Sequence, residues 1–245
     1  MADTETDAGP RVVSLVPSVT ESLLAWGVRP VAVTRFCEQP GYRAVGGTKD
    51  PDVAAIVELA PDLVVVNDEE NRREDADALS DAGLHVHVTH VESVADVDPT
   101  LDALAAAVGR ARPDVERTLF RRIAGESPEE DVQRTGRRVF VPIWRRPWMS
   151  LNARTYGSSL LEHIGLVNVF ADVADRYPMV ELDEVARRRP DLVLLPSEPY
   201  PFAVRHVDQV AALSAEVRLV DGQDLFWWGT RTPAAIGRLR QEIGS

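Results

Sequence analysis

The chain has 245 residues, 44% of them apolar, and a formal net charge of −12. That apolar content suffices for one large or two ordinary cores, while the acidic balance excludes a nucleic-acid surface, because a polyanion is repelled on average. No apolar run reaches the roughly 18 residues that a membrane-spanning helix needs, and the lone Cys37 excludes an internal disulfide.

Met1–Pro10 is acidic and polar, with no basic region, apolar region or lipobox-like cysteine, and reads as a frayed tail rather than a secretory signal. The pattern then predicts a strand at Arg11–Val16 and a helix at Glu21–Trp26, capped by Ser18 or Thr20 and stopped by Gly27. Val31–Thr34 reads as a second strand, Pro51–Leu59 as a helix and Leu63–Val66 as a third strand. Arg73–Ala82 reads as a helix and His85–Thr89 as a fourth strand. Strands alternating with helices at this spacing imply crossover units and a parallel sheet. Asp98-Pro99 is expected to open a helix and Pro113 another, up to about Ala124, with the polar stretch Glu126–Gly136 completing a bridge.

The alternation then restarts with a strand at Val139–Ile143, a helix at Ser158–Ile164, a helix at Leu182–Arg188, and strands at Leu192–Leu195 and Val217–Val220. Thr232–Ile243 is the expected closing helix. The restart is a repeat. Ile56–Glu69 (IVELAPDLVVVNDE) returns 129 positions later as Val185–Glu198 (VARRRPDLVLLPSE), each copy carrying Pro-Asp-Leu-Val, two aliphatics and a final glutamate. The expected fold is therefore α/β. Residues 1–10 are a tail, residues 11–97 and 137–245 are two Rossmann-like doubly wound lobes, and residues 98–136 are a helical backbone joining them. A ligand cleft is expected between the lobes. A helical bridge is stiffer than a Gly/Ser linker, so the expectation is a monomer whose lobes move little.

Ligands of open parallel sheets bind beyond the carboxyl ends of the strands. In the first lobe that rule selects Pro17, Ser18, Arg35–Cys37, Gly46–Lys49 and Asn67–Asn71, with Phe36, Thr48, Lys49, Asn67 and Glu69 favoured; in the second it selects Trp144, Arg145, Trp148, Tyr156, Glu198–Tyr200 and Phe226–Arg231, with Glu198, Trp228 and Arg231 favoured. Four of the five tryptophans lie in second-lobe loops, as loop packing or as an aromatic wall for a flat macrocycle. Arg145, Arg146 and Arg231 flank them, as solvated charge or as forks for carboxylate, phosphate or amide oxygens. Lys49, the one lysine, follows Gly46-Gly47-Thr48, which lacks the upstream glycine of a phosphate loop. Glu69 and Glu198 are repeat mates, either helix-cap residues or carboxylates facing each other across the cleft. Cys37 reads as an inert buried thiol rather than a soft metal ligand. His85, His87 and His90 alternate along a strand and cannot converge on one metal. No nucleophile elbow, metalloprotease motif or dinucleotide fingerprint occurs, so no catalytic residue is assigned and a binder is favoured over an enzyme.

Arg11–Gly27 (RVVSLVPSVTESLLAWG), Val45–Asp50 (VGGTKD), Leu59–Val66 (LAPDLVVV) and Trp228–Arg231 (WGTR) together resemble the helical-backbone metal-receptor superfamily. These are the solute-binding proteins of ABC importers for vitamin B12, iron–siderophores and haem, and the vitamin B12-binding branch is the most similar. The resemblance implies a cobalamin-like or other metal-chelate ligand, no further cofactor, and a ligand-side role for Arg231. It also implies permease docking through one acidic residue per lobe. Asp183 occupies that position in the second lobe, but its repeat mate is Ala54, with Asp52 nearby. The family is extracytoplasmic, whereas this sequence shows no export signal, so a cytoplasmic location stays open. A cytoplasmic binder or sensor of the same ligand class, and a chelatase-like enzyme of tetrapyrrole metabolism, are the alternatives.

Overall fold

The computed structural model describes residues 9–125 and 136–244; residues 1–8 of the expected tail and 126–135 of the expected bridge lie outside the described residues. The chain forms two compact units. One comprises the residues up to His90 together with Asp98–Arg117, the other Val91–Val97 together with the chain from Thr118 onward.

In the first unit the elements are β1 (Val12–Ser14), α1 (Pro17–Ala25), β2 (Ala32–Val33), α2 (Val53–Glu58), β3 (Leu63–Asn67), α3 (Arg73–Asp81) and β4 (Val86–Thr89). The strands make one parallel sheet in the order β2-β1-β3-β4, with Val13 opposite both Ala32 and Val64. Two helices follow, α4 (Val94–Ala107) and α5 (Asp114–Ala124). The second unit contains β5 (Arg137–Phe140), α6 (Tyr156–His163), β6 (Leu166–Asn168), α7 (Leu182–Arg187), β7 (Leu192–Pro196), a 3-10 helix (Val204–Leu213), β8 (Glu216–Val220), α8 (Gly222–Phe226) and α9 (Thr232–Gly244). Its sheet repeats the order of the first, β6-β5-β7-β8, again all parallel.

Burial explains the sequence of the inner strands. Every residue of β3 and β7 is buried, because helices cover both faces of a doubly wound sheet, and the strands are correspondingly continuous aliphatic runs. The edge strands β4 and β8 are part-exposed and take His87, Glu216 and Arg218.

The repeated Pro-Asp has a physical role. Ala60 and Arg189, 129 positions apart, both adopt left-handed φ, of 44° and 48°, at the ends of α2 and α7. The proline after each blocks further helix, and the aspartate then ties the strand to its neighbour. Asp62 Oδ2 accepts the Arg11 N–H at 2.7 Å, and Asp191 Oδ2 accepts the Arg138 N–H at 2.8 Å. In return the Asp62 N–H donates to Arg11 O at 2.9 Å, and the Asp191 N–H to Arg138 O at 2.8 Å. The motif thus sets the register of β3 on β1 and of β7 on β5.

Three expectations are corrected. α1 begins at Pro17, so Ser18 lies inside the first turn and no side chain caps it; Thr20 Oγ1 instead donates back to Val16 O at 3.0 Å. α4 begins at Val94, not at Asp98-Pro99. Asp96 Oδ2 accepts the N–H groups of Glu92 and Ser93, and the Val94 N–H donates to Ser159 Oγ, so the turn upstream of Pro99 is already satisfied. In the second unit β5 ends at Phe140, and β6, the 3-10 helix and α8 are elements that the periodicity did not resolve.

Beside the first sheet, Arg112 is buried with three carboxylates around it. Its guanidinium meets Asp98 at 2.8 Å, Asp102 at 2.9 Å and Glu116 at 2.7 Å. The second oxygen of Glu116 accepts Trp26 Nε1–H at 2.8 Å, which ties α5 to the end of α1.

Candidate ligand-binding site

In each sheet the chain reverses its winding direction between the first and third strands, β1 and β3 in one unit, β5 and β7 in the other. The loops leaving those strands at their carboxyl ends form the crevice where such folds take ligands.

In the first unit these loops are held by asparagines. Asn71 donates from Nδ2 to Leu15 O at 3.2 Å and to Thr48 O at 2.9 Å, while its Oδ1 accepts the Asn67 N–H at 2.8 Å. One side chain therefore joins the loops after β1, β2 and β3. Asn71 ends the run Asn67–Asn71 that the strand-end rule selects, and its part in joining three loops shows only in the fold. Asn67, expected on the ligand, is buried and occupied. Its Oδ1 accepts the Glu69 and Glu70 N–H groups, and its Nδ2 donates to Thr89. Asn67 is accordingly a loop-shaping residue. Lys49 Nζ donates to Glu69 O at 2.7 Å, which latches the glycine turn onto the β3 loop and brings Thr48, Lys49 and Glu69 together. Phe36 is 50% exposed beneath the Arg35 guanidinium, which itself pairs with Asp50. Pro17 is buried, and Ser18 is 1% exposed with an Oγ that meets no partner among the described residues. Cys37 is buried against the hydroxyls of Thr20 and Thr34, each 3.2 Å from its sulfur.

In the second unit the crevice is aromatic. Trp144, just beyond β5, meets Tyr200, just beyond β7, edge to face at 5.5 Å. Tyr200 lies 4.7 Å from Phe202, and Phe202 stacks on Trp148 at 6.0 Å with nearly parallel rings. Trp144 and Trp148 are thus linked through Tyr200, which the strand-end rule includes, and Phe202, which it does not; the Tyr-Pro-Phe spacing after a predicted strand was the signal available for the second ring. Trp144 is 44% exposed and supplies the open face of this ladder. Glu198 precedes Tyr200 and is half-buried, with its backbone packed against Gly222.

Trp228 and Arg231 do not join the ladder. Trp228 is 3% exposed, so it fills the unit's interior and offers no ring face to a ligand. Arg231 donates to Asp224 Oδ1 at 3.2 Å and to Gln223 at 3.3 Å and lies over the Trp227 ring. The buried Asp224 carboxylate also binds Arg238, so this network closes the α8–α9 corner. On the helix faces, Asp183 is exposed in the first turn of α7. Ala54 is exposed at the matching point of α2, and Asp52 serves as the N-cap of α2.

His206 ends the ladder, 5.6 Å from Tyr200 and 5.5 Å from Phe202, with Nδ1 accepting the Ala203 N–H at 3.0 Å. Burial, then the charges of Arg205 and Arg145, lower its pKa. An imidazole whose pKa falls on folding gives full stability above the unfolded value of about 6.5 and loses it as pH drops from there through the lowered value. Melting temperature is therefore expected to fall between about pH 7 and pH 5, and His206→Gln to flatten part of that slope. His87, also lowered by burial and by His85, acts in the same direction. The paired carboxylates Asp172 and Glu216, both lowered by arginine hydrogen bonds, titrate at more acidic pH and leave that window clear. Identical slopes for the two proteins would contradict the assignment.

With this geometry in view, a family model described as periplasmic binding protein matches residues 12–211. The chain belongs to the periplasmic binding protein family. It is a family of binding proteins rather than enzymes, which removes the chelatase alternative. Among curated relatives, the chain is 26% identical over 195 residues to the vitamin B12-binding protein of Salmonella choleraesuis, covering 77% of this chain and 73% of that one. It is 23% identical over 245 residues to the vitamin B12-binding protein of Vibrio cholerae, covering 94% of this chain and 87% of that one. Among solved structures, the periplasmic vitamin B12-binding protein of Vibrio cholerae matches with a TM-score of 0.77 at 20% identity over 97% of each chain. The periplasmic haem-binding protein of Roseiflexus sp. RS-1 matches with a TM-score of 0.76 at 19% identity, over 96% of this chain and 98% of that one. The two-lobed α/β fold is thereby shown.

Proposed function

We propose that the chain is the solute-binding protein of an ABC importer for a corrinoid or related metal chelate, such as cobalamin, haem or an iron–siderophore. The ligand is held at the carboxyl ends of the strands, where the loops of the doubly wound sheets converge. The observation that carries this reading is the Trp144–Tyr200–Phe202–Trp148 ladder with its exposed indole. Rings present large rigid area at low entropic cost, which suits a flat macrocycle. The names of the relatives support the same ligand class. Trp144, Arg145, Trp148 and Glu198 are the ligand-side residues of the second unit in this proposal, and Phe36, Thr48, Lys49 and Glu69 those of the first. Ser18, at the amino end of α1, adds an unsatisfied hydroxyl on the first-lobe side. Asp183 is proposed as a permease contact. The sensor reading draws support from Ala54, which removes its counterpart on α2.

The test is to incubate the purified protein separately with cobalamin, haemin and a ferric siderophore, remove free ligand by gel filtration, and record the absorbance spectrum. One of the three is expected to coelute at about one per chain and to quench tryptophan emission. Coelution of none would overturn the proposal.

A further inference from the structure

The loop that carries Trp144 holds two arginines without counter-ions. It is closed at its base, where the Ile143 N–H donates to Met149 O at 2.9 Å and the Met149 N–H to Trp144 O at 3.1 Å. Between these bonds lie Arg145, half-buried, and Arg146, exposed. Neither makes a hydrogen bond or ion pair with a described residue. Most of the unit's other arginines are occupied. Arg137 and Arg218 bind Glu216, Arg188 binds Asp172 and Glu184, and Arg231 and Arg238 bind Asp224. Arg187 and Arg189, which also meet no carboxylate among the described residues, sit exposed at the end of α7, before the amino end of β7, and Arg205 sits exposed in the 3-10 helix.

Arg145 differs from these in being half-buried, in a chain whose carboxylates outnumber its arginines. A half-buried guanidinium without a counter-charge gives up hydration for nothing, unless something else supplies the anion. The charges that bear on the ladder's His206 are Arg205 and Arg145, both positive. An exposed indole is therefore flanked by uncompensated cations. That combination suits a planar ligand with anionic oxygens at its edge, which arginine holds with a two-pronged fork.

We propose that the Arg145–Arg146 loop selects a metal chelate whose rim carries carboxylates or other oxyanions, laid against Trp144, over the same ring with a neutral rim. This inference rests on the ligand class proposed above and specifies its edge chemistry. Two matched pairs test it: haemin against its dimethyl ester, and a monocarboxylic acid of cobalamin against cobalamin itself. In at least one pair the parent protein is expected to bind the acid about ten- to a hundredfold more tightly than the neutral partner. The preference should shrink with added salt. Arg145→Gln with Arg146→Gln should bring the two affinities within about threefold by weakening the acid alone. Equal affinity of acid and neutral partner in the parent would overturn the rim selection while leaving ring binding intact. A preference that survives the double variant would overturn the assignment to this loop. Binding of none of the four compounds would overturn the inference, and failure of a ferric siderophore as well would overturn the ligand class with it.

Discussion

Arg112→Ala is expected to destabilise the protein by about 3–5 kcal/mol, the range found when one partner of a buried ion cluster is removed. The reason lies in what remains. Glu116, 11% exposed, and the nearly half-exposed Asp98 and Asp102 converge on a guanidinium whose side chain has no solvent exposure, and deleting it leaves a void and the buried Glu116 carboxylate without its counter-charge. The damage spreads, because Glu116 also receives Trp26 and so holds the end of α1 against α5. Arg112→Lys keeps the charge but loses the fork, since one ammonium cannot reach the geometry that Nε and Nη1 share among three acids. It should recover part of the loss. Chemical denaturation of the three proteins provides the measurement, and a loss below about 1 kcal/mol for Arg112→Ala would show that the cluster relaxes into solvent.

Gly222→Ala is expected to cost about 1–3 kcal/mol and to weaken ligand binding as well. A β-carbon at Gly222 would stand 2.5 Å from Glu198 N and 2.6 Å from Glu198 O, both backbone atoms that no rotamer change can move aside. The Gly222 N–H also donates to Ser197 Oγ at 2.9 Å, so α8 and the β7 loop cannot simply separate. The strain must displace the Glu198–Tyr200 segment, and with it the ring that meets Trp144. Gly237→Ala is the control. That residue lies within α9 with nothing near its would-be β-carbon, so the exchange should stabilise by up to about 1 kcal/mol through helix propensity and leave binding unchanged. If Gly222→Ala binds and unfolds like the parent, the loop is more compliant than its packing indicates.

The architecture was legible because the repeat encodes backbone geometry. Pro-Asp terminates a helix, sets a left-handed residue before it and anchors a strand, and that combination survives where other similarity has been lost. The buried aliphatic runs of β3 and β7 belong to the same signal. Short elements were hidden for an equally physical reason. Three residues of β6 and five of α8 are too few to display a period, and their positions are fixed by contacts from elsewhere in the unit. The α4 start was missed because its first turn is satisfied by Asp96 and by Ser159, which is distant in sequence.

The site was legible by position and less so by role. Strand ends locate Trp144, Trp148 and Lys49 correctly at loops, but strand ends do not reveal which side chains the protein spends on itself. Asn67 and Arg231 are consumed by backbone amides and by Asp224, and Trp228 by the interior. The converse holds for Tyr200, Phe202 and Asn71, whose value appears only when loops from different strands meet. Composition indicated an acidic chain, yet the uncompensated arginines beside Trp144 emerge only after the other arginines are matched with their carboxylates.

The central claim is that a flat metal chelate packs against the exposed indole beyond β5. Calorimetric titration of the parent and of Trp144→Ala with whichever of cobalamin, haemin or ferric siderophore coelutes tests it most directly. The account predicts one site per chain in the parent and an affinity lower by about ten- to a hundredfold in Trp144→Ala, with unchanged melting temperature because the ring is nearly half exposed. Equal affinity in the two proteins would contradict it.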